Sequence, residues 1–178
     1  SISFMDFDSI PMAFKRFRKV KKINLIGTPS IGLDFFPHLR ELVVEEIELT
    51  IPETCAWPSR IEILKTNKTK IVGLRSFTIL PRLSELNMSF SGFDTMPKDL
   101  YKLEHFKYLS FGGHTFGNID LRDFDFNKFK QLEYFEIVCW FDRVKGLPIG
   151  LNNHVCTRII YKDISKQNRE KLKRISCH

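Results

Sequence analysis

Residues 95–111, TMPKDLYKLEHFKYLSF, decide how the rest of the chain is read. After Met96 and Pro97, apolar residues fall at every third position, Leu100, Leu103, Phe106 and Leu109, and a final step of two reaches Phe111. An α-helix turns every 3.6 residues, so it holds an apolar face only by alternating steps of three and four. A strict step of three closed by a step of two predicts a tight coiled segment that feeds a short strand. Leu109 and Phe111 then point inward together, because alternate strand residues share a face.

The same steps recur along the chain. They run through Val20, Ile23, Leu25 and Thr28, and then through Leu33, Phe36, Leu39, Leu42, Val44 and Ile47. A third copy has Ile61, Leu64, Thr66, Thr69 and Ile71, and a fourth has Leu74, Phe77, Leu80, Leu83, Leu86, Met88, Ser91 and Phe93. The pattern of the opening stretch continues three residues on to His114, and the sixth copy holds Phe126, Phe129, Leu132, Phe135, Ile137 and Trp140. Ile2, Phe4 and Phe7 fit the end of an earlier copy. A last copy lies around Cys156, Ile159 and Tyr161, or one residue later at Thr157 and Ile160, and its register stays open. First anchors at Val20, Leu39, Ile61, Leu83, Phe106, Leu132 and about Cys156 are nineteen to twenty-six residues apart. A second marker keeps the phase: Ile51-Pro52, Met96-Pro97 and Leu147-Pro148 each begin four residues before an apolar position, Cys55, Leu100 and Leu151. Proline lacks an amide hydrogen and fixes φ, which suits the exit from a strand.

With these anchors, above all LEHFKYLSF and LPRLSELNMSF, the chain resembles the leucine-rich repeat family over nearly its whole length. The resemblance implies an α/β repeat fold: a right-handed solenoid with a concave parallel β-sheet and an irregular convex side of short helices, 3₁₀ turns and loops. Residues 1–178 are then a single domain of about seven repeats, expected to be the C-terminal part of a longer array because the chain starts directly in strand phase. Residues 163–175, DISKQNREKLKRI, are expected to form a C-terminal capping helix with one narrow apolar stripe. Where the family places an asparagine after the strand, this chain has Thr28, Ile47, Thr69, Ser91, His114 and Trp140. Thr and Ser supply part of that side-chain bond to backbone, whereas Ile and Trp do not, so irregular curvature is expected. The 17 phenylalanines fit as spine packing, with Phe126, Phe129 and Phe135 expected to stack against counterparts in adjacent turns.

Charge narrows the function classes. The chain carries a formal +7, but residues 1–22 hold six basic against two acidic side chains, and residues 162–178 do the same. The middle is therefore close to neutral, and the acids of the expected concave strands disfavour nucleic acid there. No apolar run approaches the roughly eighteen residues of a membrane span. Four cysteines at irregular spacings, Cys55, Cys139, Cys156 and Cys177, read as reduced thiols and point to an intracellular protein. The sequons at Asn67 and Asn87 leave secretion open. His154, Cys156, Cys177 and His178 lack metal-site spacing, and Gly112-Gly113 lacks the lysine of a phosphate loop, so no catalytic residue, metal or cofactor is expected.

Function is expected between the inward anchors. The concave candidates are Asn24, Glu41, Val43, Glu45, Lys65, Asn67, Glu85, Asn87, Tyr108, Ser110, Tyr134 and Glu136, accompanied in phase by Lys22, Ile26, Ile63, Ser89, Gly112 and Val138. Aromatic residues set among acids and amides suit protein recognition. The expectation is a non-enzymatic module that binds a protein partner on this face. The resemblance also implies two alternatives, the substrate-recognition part of an F-box-type ubiquitin ligase adaptor and a secreted or microbial effector.

Overall fold

In the computed structural model of the chain, the step of three is a hydrogen-bond pattern. The N–H of Phe36 donates to the carbonyl of Leu33 and that of Leu39 to Phe36, both at 3.0 Å. The same i+3 to i bond joins Phe17 to Phe14, Leu80 to Phe77, Leu83 to Leu80, Leu103 to Leu100 and Phe129 to Phe126. Residues three apart eclipse one another in a 3₁₀ turn, so each bonded anchor stacks its side chain over the last. The helical segments among the described residues are accordingly 3₁₀: Met12–Arg16, Leu33–Phe35, Pro58–Arg60, Phe77–Ile79, Lys98–Lys102 and Phe126–Lys128.

The structure describes residues 1–30, 33–50, 58–72, 76–89, 98–112, 119–120, 122, 124–140, 144–145, 149–150 and 156–162. Its strands, in chain order, are β1 (Ile2–Met5), β2 (Lys22–Ile26), β3 (Glu41–Glu45), β4 (Glu48–Thr50), β5 (Ile63–Asn67) and β6 (Lys70–Val72). They continue as β7 (Glu85–Ser89), β8 (Tyr108–Gly112), β9 (Ile119–Asp120), β10 (Tyr134–Trp140), β11 (Val144–Lys145) and β12 (Cys156–Lys162). Eight of them form one sheet in the order β1-β2-β3-β5-β7-β8-β10-β12, and every pairing in it is parallel. Two parallel pairs, β4 with β6 and β9 with β11, lie outside it.

The expected parallel sheet is therefore present, and the described residues hold few helices. Paired residues across successive strands of the large sheet differ in number by 21, 19, 22, 22, 23, 26 and 22. The open register at the C-terminal end is fixed by the last pairing: Thr157 stands opposite Phe135 and Ile159 opposite Ile137. Cys156 is paired with Tyr134, two positions later in its unit than the first anchors before it.

Strand alternation builds the core. Ile23 and Leu25, Leu42 and Val44, Leu86 and Met88, Leu109 and Phe111, and Phe135 and Ile137 are buried. They meet the 3₁₀ anchors Leu33, Phe36, Phe77, Leu80, Leu100, Leu103 and Phe126 in one continuous apolar cluster. Phe129 stacks on Phe106 of the preceding unit with centroids 5.8 Å apart. Phe126, by contrast, meets Phe135 of its own unit edge-on at 5.0 Å, so the phenylalanine contacts run both across and within units.

Thr28 and Thr69, both buried, take the polar spine position. Thr28 Oγ1 accepts from the Phe7 N–H at 3.0 Å and lies 3.2 Å from the Ile26 carbonyl. Thr69 Oγ1 reaches the carbonyls of Val44 and Asn67 at 3.1 and 3.0 Å. Ile47, at the same position, packs against the core. Ser91, His114, the three Ile/Met/Leu-Pro pairs and the expected helix at 163–175 lie outside the described residues.

Strands β1, β2, β3 and β5 each leave by a left-handed residue. Asp6, Gly27, Glu46 and Lys68 have φ of 54°, 59°, 58° and 50°, and each N–H donates to the strand-end carbonyl of the next unit. Strand entries are equally regular. Lys21, Arg40, Glu62, Ser84 and Lys107 each offer a carbonyl that accepts two successive N–H groups of the following strand. Both features bracket β3 and β5, and the parallel register lays out the other face of the sheet, the one turned from the core, as a grid.

Candidate functional site

The grid has three rows, set by the pairing register. One row runs Lys22, Glu41, Ile63, Glu85, Tyr108, Tyr134, and a second runs Ser3, Asn24, Val43, Lys65, Asn87, Ser110, Glu136. The third runs Met5, Ile26, Glu45, Asn67, Ser89, Gly112, Val138. All twelve candidates from the sequence fall on this grid. Among the described side chains of β2, β3, β5 and β7, residues on the grid are partly exposed and those between them are buried.

The grid has an aromatic end. The Tyr108 and Tyr134 rings stack face to face with centroids 4.6 Å apart and planes 4° from parallel. Strand spacing in a sheet is about 4.8 Å, so directly paired tyrosines fall naturally into stacking contact. Ser110 is not a surface contact residue as its phase suggested: it is 3% exposed and its Oγ donates to Glu136 Oε2 at 3.1 Å. Burial, reinforced by the Glu136 carboxylate, the neighbouring Tyr134 and Glu85, pushes the Tyr108 phenol above its ordinary pKa, and a hydrogen bond with Ser110 opposes the shift.

The rest of the grid is polar. Lys22 Nζ lies 2.7 Å from Glu41 Oε1, and Lys65 Nζ lies 3.9 Å from Glu85 Oε2. Asn24 Nδ2 donates to Ser3 Oγ at 3.1 Å, leaving its Oδ1 enclosed with no partner. Val43, Glu45, Lys65, Thr66, Asn67, Asn87 and Ser89 line a depression of about 370 Å³. Short amide and hydroxyl side chains flank its charged residues.

Two additions were missed in the sequence. Ser3 extends the second row to β1, and β12 brings Cys156, Arg158 and Ile160 into register with Tyr134, Glu136 and Val138. The Ile2-x-Phe4 alternation was signal enough for the first. The second needed the β10–β12 register, which the blurred last copy did not give.

Chemistry elsewhere is sparse. Among the described residues no group of three or more His, Cys, Asp or Glu side chains is placed to hold a metal ion. No helix among them is long and apolar enough to cross a membrane. The fold and grid define a parallel-sheet protein with one polar, partly exposed sheet face bearing a stacked tyrosine pair. Comparison with protein-family models, curated proteins and solved structures gives no match.

Proposed function

We propose that the chain is a solenoid of the leucine-rich repeat type and that it works as a non-enzymatic module, binding a protein partner on the exposed face of its large sheet. Support for the architecture comes from the coil itself: consecutive parallel strands, unit lengths of 19 to 26 residues, and a 3₁₀ turn before each of β2, β3, β5, β7, β8 and β10.

The observation that carries the functional reading is the Tyr108–Tyr134 stack, standing partly exposed among acids and amides on a pre-formed surface. Tyrosines have few rotatable bonds and large contact area, which makes them strong interface anchors. A rigid sheet also limits the ordering cost of association. The test is affinity capture with the native chain and with a Tyr108→Ala, Tyr134→Ala double variant as baits, followed by mass spectrometry. A partner held by the native chain should be lost from the variant while circular dichroism stays unchanged. Full retention of that partner by a folded double variant would remove this face from the interaction.

A further inference from the structure

We infer that the 3₁₀ segment Met12–Arg16 and the turn after it form a second surface, one that docks on a membrane bearing anionic lipid. This surface is separate from the sheet face and stands independently of the protein-binding reading. Each of the other 3₁₀ segments among the described residues buries at least one side chain, Leu33, Pro58, Phe77, Leu100 or Phe126. Met12–Arg16 buries none. Met12 is 70% exposed, and Phe17, just past the segment, is 54% exposed. Two large apolar side chains therefore face water within six residues, where the other segments turn theirs inward.

Phe17 is held from behind. Phe14 meets the buried Phe4 edge-on with centroids 4.9 Å apart, and Phe17 lies against Phe14 at 5.5 Å. The backbone is fixed as well: the Phe17 N–H donates to the Phe14 carbonyl at 2.9 Å, and the Val20 N–H to the Phe17 carbonyl at 3.2 Å. The ring is presented on a bonded turn that rests on the core, so little ordering cost falls on its entry into a bilayer interface.

The charge around Phe17 is of one sign. Lys15, Arg16, Arg18, Lys19 and Lys21 are exposed, and none forms an ion pair among the described residues. Lys22 does not count with them, because Glu41 holds it at 2.7 Å. Residues 9–33 contain no acid. Asp6 and Asp8 belong to the far end of the strand: the Asp6 N–H donates to the Ile26 carbonyl, about 13 Å along β2 from Lys22. Leu33–Phe35, packed against Met12–Arg16, adds one exposed acid, Asp34. Five cations thus stand against one acid. A nucleic acid would satisfy the cations and leave Met12 in water, whereas a bilayer surface answers both, with anionic headgroups for the cations and acyl chains beneath for Met12 and Phe17.

The test is co-sedimentation of the whole chain with two kinds of vesicle, phosphatidylcholine alone and phosphatidylcholine mixed with phosphatidylserine. The chain should partition onto the anionic vesicles only, and less as salt rises. Arg16→Gln and Arg18→Gln should each lower the partition coefficient about fivefold. Met12→Ser and Phe17→Ser should each lower it about tenfold, with the circular dichroism spectrum intact. Lys70→Gln and Lys130→Gln remove exposed cations that already pair with Glu48 and Glu104, and should change it little. Equal losses from these two and from the two arginine variants would reduce the effect to net charge and overturn the inference. So would equal binding to both vesicles, or none to either. Displacement from the vesicles by duplex DNA, with indifference to Met12→Ser and Phe17→Ser, would give the cations to nucleic acid instead. Dimerisation seen by light scattering and abolished by Met12→Ser, without vesicle binding, would give the surface to a second copy of the chain.

Discussion

Tyr108 and Tyr134 occupy directly paired positions on β8 and β10, and their rings lie 4.6 Å apart in nearly parallel planes. Each ring therefore forms one wall of the other's surroundings. In Tyr134→Ala the Tyr108 phenol loses apolar cover and the Tyr134 contribution to its shift, so its pKa should fall towards the ordinary tyrosine value. Site-resolved NMR titration of labelled tyrosines reads this directly, and an unmoved Tyr108 would contradict the stack.

The same shift gives a pH dependence of stability. Below about pH 10, the ordinary tyrosine value, Tyr108 is protonated in both folded and unfolded chains. Above it the unfolded chain ionises first while the folded chain keeps its proton, so stability declines as pH rises through the folded value. Tyr108→Phe should remove that part of the alkaline loss. Urea unfolding of both proteins across this range checks the sign, and a steeper alkaline decline in the variant would refute it.

Core truncations should follow the three-two phase. Leu109→Ala and Phe135→Ala remove fully buried side chains and should cost about 2–5 kcal/mol each. Lys107→Ala, adjacent in sequence to Tyr108 and exposed, loses only its surface pair with Glu133 and should shift the unfolding midpoint little. Equal losses at 107 and 109 in chemical denaturation would break the assigned phase.

Gly27 has φ of 59°, and a β-carbon there would run into Asp6 Oδ1. Gly27→Ala should therefore cost about 1–2 kcal/mol from the left-handed backbone, with the Asp6 carboxylate forced aside. A midpoint in urea equal to that of the native protein would show that this strand exit tolerates a side chain.

The two buried threonines should respond differently. Thr28→Val leaves the Phe7 N–H without its acceptor and should cost about 1–3 kcal/mol. Thr69 donates only to carbonyls that keep their strand partners, so Thr69→Val should cost less. Differential scanning calorimetry of both variants ranks them, and the reverse order would overturn the assigned roles.

Much of the parallel sheet was legible because its determinants are local. A step of three is an i+3 to i hydrogen bond repeated, and a step of two is a strand residue facing the core again. Leu33-Phe36-Leu39 followed by Leu42 and Val44 carries both signals in one line, and the structure buries all five. Phe7 held the same phase, yet it is 48% exposed at the β1 end of the sheet. The candidate grid was legible for the same reason as the core, as its complement. What the phase did not give was Ser110, which points with the grid and is nevertheless covered.

The sequence by itself determined which residues of the regular copies turn inward and most of the polar side chains left on the opposite face, since both depend on spacing along the chain. Only the tertiary structure decided who stands beside whom. Unit lengths vary from 19 to 26 residues, so the register across strands is set by backbone pairing between units. That pairing stacks Tyr108 on Tyr134, closes Lys22 onto Glu41, brings Arg158 beside Glu136, and places acids on alternate strands of one surface.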